Sequence, residues 1–362
     1  IAVWGGPNRR YASLKFFLFT LFGSALMLVS FLALFFLTGA ESFVFADLAD
    51  AVASHGVSRT AQLWIFGGML LGFGIKVPMF PFHTWLPLAH VEAPTAISVL
   101  LAGILLKLGI YGILRINYGL MPDGVYWFSG ALAALGLINV IWGGLCALAQ
   151  TDLKKLVAYS SVNHMGYALI GMAAVIAAGE SNGLNLRAAQ AGLGGAVFQM
   201  FNHGTISAML FILVGVIYDR AHHREIAGFG GLAAQMPIYT GITAVAFFAG
   251  LGLPGLSGFI SEAMCFIGAF PVYKGIVIAS TIGILLNAAY FLWAFQRIFF
   301  GELNEKYKDL PEINRLELFT VVPLLVITIF FGIYPAPFLD IIASTMDVII
   351  NHVVTLASFA GM

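Results

Sequence analysis

The chain is 362 residues long, with 60% hydrophobic and 9% charged residues, no formal net charge at pH 7 and a mean hydropathy of +0.95. A soluble domain carries about 25% charge, so this composition belongs to a polytopic membrane protein. The zero net charge argues against nucleic acid as a partner. Cys146 and Cys265 lie in apolar runs without CxxC spacing, so they frame no metal cluster and read as small packing residues.

Ile1 stands where a Met is expected and is followed by a basic segment rather than a signal peptide, so the sequence reads as a fragment whose N-terminal part is absent. Hydropathy predicts an all-α fold of about nine spans, at 14–38, 62–82, 95–116, 129–150, 153–176, 192–218, 238–270, 275–300 and 316–334. The tail, 335–362, alternates apolar and polar residues and is expected as an interfacial helix or a loosely held end. With the N-terminus inside, the inner segments hold 11 basic residues and the outer ones 4, which sets the orientation.

Two spans are interrupted. The second begins near Gln62, meets Lys76 about 14 residues or roughly 21 Å in, and is broken at once by Pro78 and Pro81. A lysine in lipid costs roughly 2.5–3.5 kcal/mol at a helix centre, so it faces a partner or a wet cavity. The seventh is too long for one straight helix. Its GLGLPGLSG segment, with Pro254, should unwind before Glu262. The two breaks are five spans apart and run in opposite directions, as an inverted repeat requires. Residues 1–124 then read as the last three helices of a first five-helix unit and 125–300 as a complete second unit. A charged loop, a last span and the tail fill 301–362.

Lys76, Lys107, His164, His203 and Glu262 are the titratable groups well within spans. Lys107 lies about 12 residues or roughly 18 Å into its span, out of easy reach of either surface. His164 follows Ser160, Ser161 and Asn163 and precedes Tyr167; His203 is surrounded by Gln199, Asn202, Thr205 and Ser207. Hydroxyls, amides and imidazoles at these positions can hold waters and pass protons. A lone intramembrane histidine is more often a packing residue. Two on neighbouring spans, each in a polar cluster, favour a relay over packing and over a bis-histidine haem. His83, His90 and Glu92 flank the first break as a candidate inner inlet, or as plain interfacial polar residues. The five relay groups are expected in one mid-membrane layer, set apart by residues such as Ser161, Asn202 and Ser207.

KVPMFPFHTWLPLAHVEAPT, SVLLAGILLKLGIYGILR, AQTDLKKLVAYSSVNHMG, FQMFNHG and GLPGLSGFISE together resemble the antiporter-like proton-pumping subunits of respiratory complex I, the M type in particular. The resemblance runs from Trp4 to Pro335. It implies a fourteen-helix bundle with helices six to fourteen present. It further implies that Lys76 is the central lysine of the inner half-channel, with a paired glutamate upstream of Ile1. Lys107 would be the next relay group, His164 and His203 the connecting histidines and Glu262 the outer relay. The chain departs from the family at Leu88, where many members have Asp.

The resemblance implies a proton-translocating subunit with no redox group of its own, driven by quinone reduction elsewhere in the complex. NAD(P)H or ferredoxin, FMN, Fe–S clusters and quinone are expected in partner subunits, both membrane and hydrophilic. The implied place is the bacterial inner membrane or an equivalent energy-transducing bilayer. A subunit of a multisubunit Na⁺/H⁺ antiporter or membrane-bound hydrogenase is the alternative within the superfamily. A structural scaffold with a vestigial channel is the alternative outside it, and intact Lys76, Lys107 and Glu262 speak against that.

Overall fold

The computed structural model describes residues 1–179 and 183–358, and these are helical apart from turns, loops and one isolated bridge between Asp152 and Glu225. α1 (Arg9–Thr38) leads through a short helix, α2 (Phe45–His55), to the halves of the first broken span, α3 (Arg59–Lys76) and α4 (Trp85–Glu92). Then come α5 (Thr95–Leu120), α6 (Pro122–Leu148), α7 (Leu153–Gly179) and α8 (Gly183–Ala221). α9 (Pro237–Gly250) and α10 (Ser257–Ala269) are the halves of the second broken span. α11 (Lys274–Phe299), α12 (Arg315–Ile333) and α13 (Ala336–Ser358) complete the order.

Among the described residues 8 helices are long and apolar enough to cross a membrane. Each of the nine predicted spans is one helix or a broken pair, and the eighth long helix is α13, in the tail where an interfacial helix or a loosely held end was expected. Asp340, Asp347 and Asn351 dilute its hydropathy. Packing compensates: Met346, Ile350 and Val353 are buried in the main core, and Gln190 Nε2 donates to Asp347 Oδ1 at 2.7 Å.

α7, with its YSSVNHMGY run, is 83% buried over its most apolar window, whereas the more apolar α1 and α12 are each 17% buried. Protein rather than lipid surrounds the polar helix, which is how intramembrane polar groups are tolerated. Small residues let its neighbours close in. A Cβ on Gly268 would sit 2.2 Å from Gly192, so α8 and α10 touch backbone to backbone.

The inner ends are tied together by charge. Arg224 donates to Asp152 Oδ2 at 3.2 Å and to the Val91 carbonyl at 2.9 Å, and the buried Lys154 ammonium donates to the Ala93 carbonyl at 2.6 Å. These bonds hold the end of α4 against α7 and the loop after α8. The break in the first span is thereby anchored from below.

Candidate functional site: a buried proton-relay layer

At the first break α3 ends on Lys76 and the chain turns before the 3₁₀ turn Phe82–Thr84 leads into α4. Val77, Pro78 and Met79 are buried, and the backbone groups freed by the prolines find partners. Asn139 of α6 supplies both: its Oδ1 accepts from Phe80 N at 2.8 Å and its Nδ2 donates to Pro78 O at 3.3 Å. Trp85 Nε1 reaches back to Ile75 O at 2.9 Å. The Lys76 side chain is half-buried and makes no recorded hydrogen bond or ion pair among the described residues. Pro81 is exposed.

Lys107 is on α5, where two π-helical stretches, Leu101–Leu105 and Ile113–Asn117, interrupt the α-helix. A π turn displaces a carbonyl from the i→i−4 ladder. The Ala102 carbonyl accepts from the Lys107 ammonium itself. The ammonium also lies 2.6 Å from His203 Nδ1, so the head turns into the protein although part of the stem is exposed. Lys107 stands level with the first break, because Gly109 packs on Phe73 and Val77.

From His203 on α8 the layer continues to His164 on α7, with ring centroids 5.6 Å apart. His164 Nδ1 lies 2.9 Å from Glu262 Oε1 on α10. Glu262 Oε2 rests against Gly252, whose φ of 82° is a conformation glycine adopts without strain. Gln199 links this pair to its surroundings, donating to His164 O at 3.3 Å and accepting from Ser261 Oγ at 2.5 Å. Asn202 bridges α8 to the second break through Ser257 O (2.8 Å) and Ser261 Oγ (3.0 Å). A cavity of about 10 Å³ among His164, His203 and Glu262 has room for roughly one water.

The layer of titratable groups is thus tighter than expected. Four of the five groups form one run of contacts, from Lys107 through His203 and His164 to Glu262. Ser161 and Ser207 each donate to a carbonyl of their own helix, Val157 and His203 respectively. Gln199, Ser261 and Asn139 were not singled out for these roles. A polar residue in an otherwise apolar span was the available signal for Asn139.

The candidate inlet residues fall into three situations. His83 accepts from Trp142 Nε1 at 3.2 Å. His90 is fully buried, stacked on Phe211 at 4.5 Å, with both ring nitrogens lacking partners. Glu92 anchors the start of the chain, its Oε2 accepting from Asn8 N at 2.9 Å. It also lines, with Lys154, Asp219 and Arg224, a 320 Å³ cavity at the inner end. Leu88 is half-buried on α4, one turn before Glu92.

Residues 1–287 match the family model described as NADH:quinone oxidoreductase/Mrp antiporter, TM. The chain belongs to this family. NADH-quinone oxidoreductase subunit M of Rhodobacter capsulatus is 41% identical over 361 residues, covering 97% of this chain and 68% of that protein. A chain of respiratory complex I from Thermus thermophilus with bound NADH superposes with a TM-score of 0.87 at 30% identity, over 97% of this chain and 71% of that one. A chain of the Mrp complex from Dietzia sp. DQ12-45-1b superposes with a TM-score of 0.78 at 20% identity, over 96% and 71%, which is a likeness of fold. The chain therefore spans about two thirds of the length of these relatives. It is an integral membrane protein of the antiporter-like family.

Proposed function

We propose that this chain is the proton-translocating membrane subunit of an NADH-quinone oxidoreductase, moving protons through Lys76, Lys107, His203, His164 and Glu262. The observation that carries the reading is the run of contacts from Lys107 to Glu262, buried between two broken helices. Each contact joins groups able to exchange a proton: ammonium to imidazole at 2.6 Å, imidazole to imidazole across a gap suited to water, imidazole to carboxylate at 2.9 Å.

The driving electrons belong to partner subunits, both membrane and hydrophilic. NAD(P)H or ferredoxin, FMN, Fe–S clusters and quinone are proposed there. Within this chain Cys265 packs against Gly171 and Cys146 is half-buried in α6. On the inner side, the Glu92–Lys154 cavity and His90 make the inlet, with Lys154 and Arg224 holding the cavity's walls. Residues 1–124 are proposed as the last three helices of a first inverted repeat and 125–300 as the complete second one, meeting between α5 and α6, with Pro78 and Pro254 at equivalent breaks.

The test is Lys76→Met in the assembled enzyme, reconstituted in vesicles. The neutral side chain keeps the volume and removes the charge, so the expected result is electron transfer with strongly reduced proton uptake per electron. An unchanged ratio would sink the reading. Pumping that depended on sodium, with no electron-transfer partners copurifying, would move the chain to the antiporter branch.

A further inference from the structure

We infer that the hydroxyl of Tyr167, positioned by Asn287 and Tyr290, is a second, outward partner for the Glu262 carboxylate. The inference rests on the proton-relay reading and adds a release step to it.

The register of two helices places Tyr167. α7 and α10 both run from the inner to the outer side. A Cβ on Gly171 would approach Cys265 Cβ to 3.2 Å, so these two positions are level. Glu262, three residues before Cys265, is therefore level with Ala168 and Tyr167 of α7. Its carboxylate nevertheless meets His164, one turn further in, because helical side chains lean toward their own N-terminus. Turned the other way, the carboxylate comes to the level of Tyr167. In its present position Glu262 Oε2 rests against Gly252, where a Cβ would stand 3.2 Å away.

The phenol is prepared for such a partner. Tyr167, Asn287 and Tyr290 are all fully buried. Tyr290 Oη donates to Asn287 Oδ1 at 2.9 Å, and Asn287 Nδ2 donates to Tyr167 Oη at 3.4 Å. The amide thus uses an acceptor site on the Tyr167 oxygen and leaves its O–H proton to be given elsewhere. No acceptor for that proton is recorded among the described residues, and buried donors are rarely left unpaired. His164, the present partner of Glu262, and Tyr167 stand three residues apart on one helix with their rings 6.3 Å apart.

The step balances simply. His164 passes a proton to Glu262, the neutral carboxyl turns outward, and the proton leaves to water on that side. The carboxylate left behind accepts the Tyr167 O–H hydrogen bond until it returns to His164. Tyr167 keeps its own proton throughout and acts as a positioning residue.

The test is Tyr167→Phe in the assembled, reconstituted enzyme, read by proton pumping and by the infrared carboxyl band that Glu262→Gln removes. The expected result is a pumping rate about tenfold lower, the weight of ~1.4 kcal/mol, with that band shifted. Asn287→Leu, which frees the phenol from its orientation, should shift the same band and guards against a folding defect at Tyr167. A normal rate in Tyr167→Phe, or a slower rate with an unmoved band in both variants, overturns the inference while leaving the relay standing. Normal pumping in Glu262→Gln overturns both.

Discussion

The two broken helices solve the same problem in different ways. At the first, the side-chain bonds go to the backbone. Asn139 and Trp85 bond the freed peptide groups, the turn is buried, and Lys76 has no recorded partner among the described residues. At the second, a side-chain pairing holds the charge, and Asn202 bonds the Ser257 carbonyl. Glu262 is paired with His164, while Leu253, Pro254 and Gly255 are exposed on the flank and Gly252 and Gly255 have φ of 82° and 94°. The lysine and the glutamate beside the two breaks thus sit in different settings: Lys76 is half-buried, and Glu262 is buried and paired with a histidine.

The contrast is breakable, and the largest effect is expected from the charges. Glu262→Gln should remove most proton pumping with assembly intact, because the glutamine keeps the shape but no longer ionises; proton-to-electron stoichiometry in vesicles checks it. A normal stoichiometry would reduce Glu262 to a structural hydrogen-bonder. Asn139→Leu should act on the first break alone. It leaves Pro78 O and Phe80 N unpaired and costs about 2 kcal/mol of stability, seen as a lower melting temperature of the assembled complex. Were the variant as stable as the parent, the claim that Asn139 holds the first break would fail. The smallest effect is expected from Gly252→Ala, where the positive φ costs about 1–2 kcal/mol. Its Cβ would also crowd Glu262 Oε2, so the Glu262 infrared band should move with only a slight loss of thermal stability. An unmoved band would separate the glycine from the carboxylate.

Both breaks were legible because a proline or a charge inside an apolar run has a known energetic cost and few ways to meet it. The five relay positions stood out for the same reason. Their mutual contacts did not. The repulsion expected among five close titratable groups argued for separation, whereas an imidazole beside an ammonium or a carboxylate serves as a hydrogen-bond partner. Lys154, beside Lys155 at the inner start of α7, is buried against the Ala93 carbonyl. Which of two adjacent lysines turns inward depends on the neighbouring helix end and is invisible in one dimension. α13 escaped because its polar residues spoil a hydropathy average without spoiling a packed face.

The central claim is that Lys107 and Glu262, at opposite ends of the contact run, serve one continuous path. The direct measurement is proton translocation per electron in Lys107→Met, Glu262→Gln and the double variant, each in the same reconstituted enzyme. One path predicts that both single variants lose pumping and that the double variant loses no more than the worse of them. Two losses that multiply in the double variant, or undiminished pumping in either single one, would contradict it.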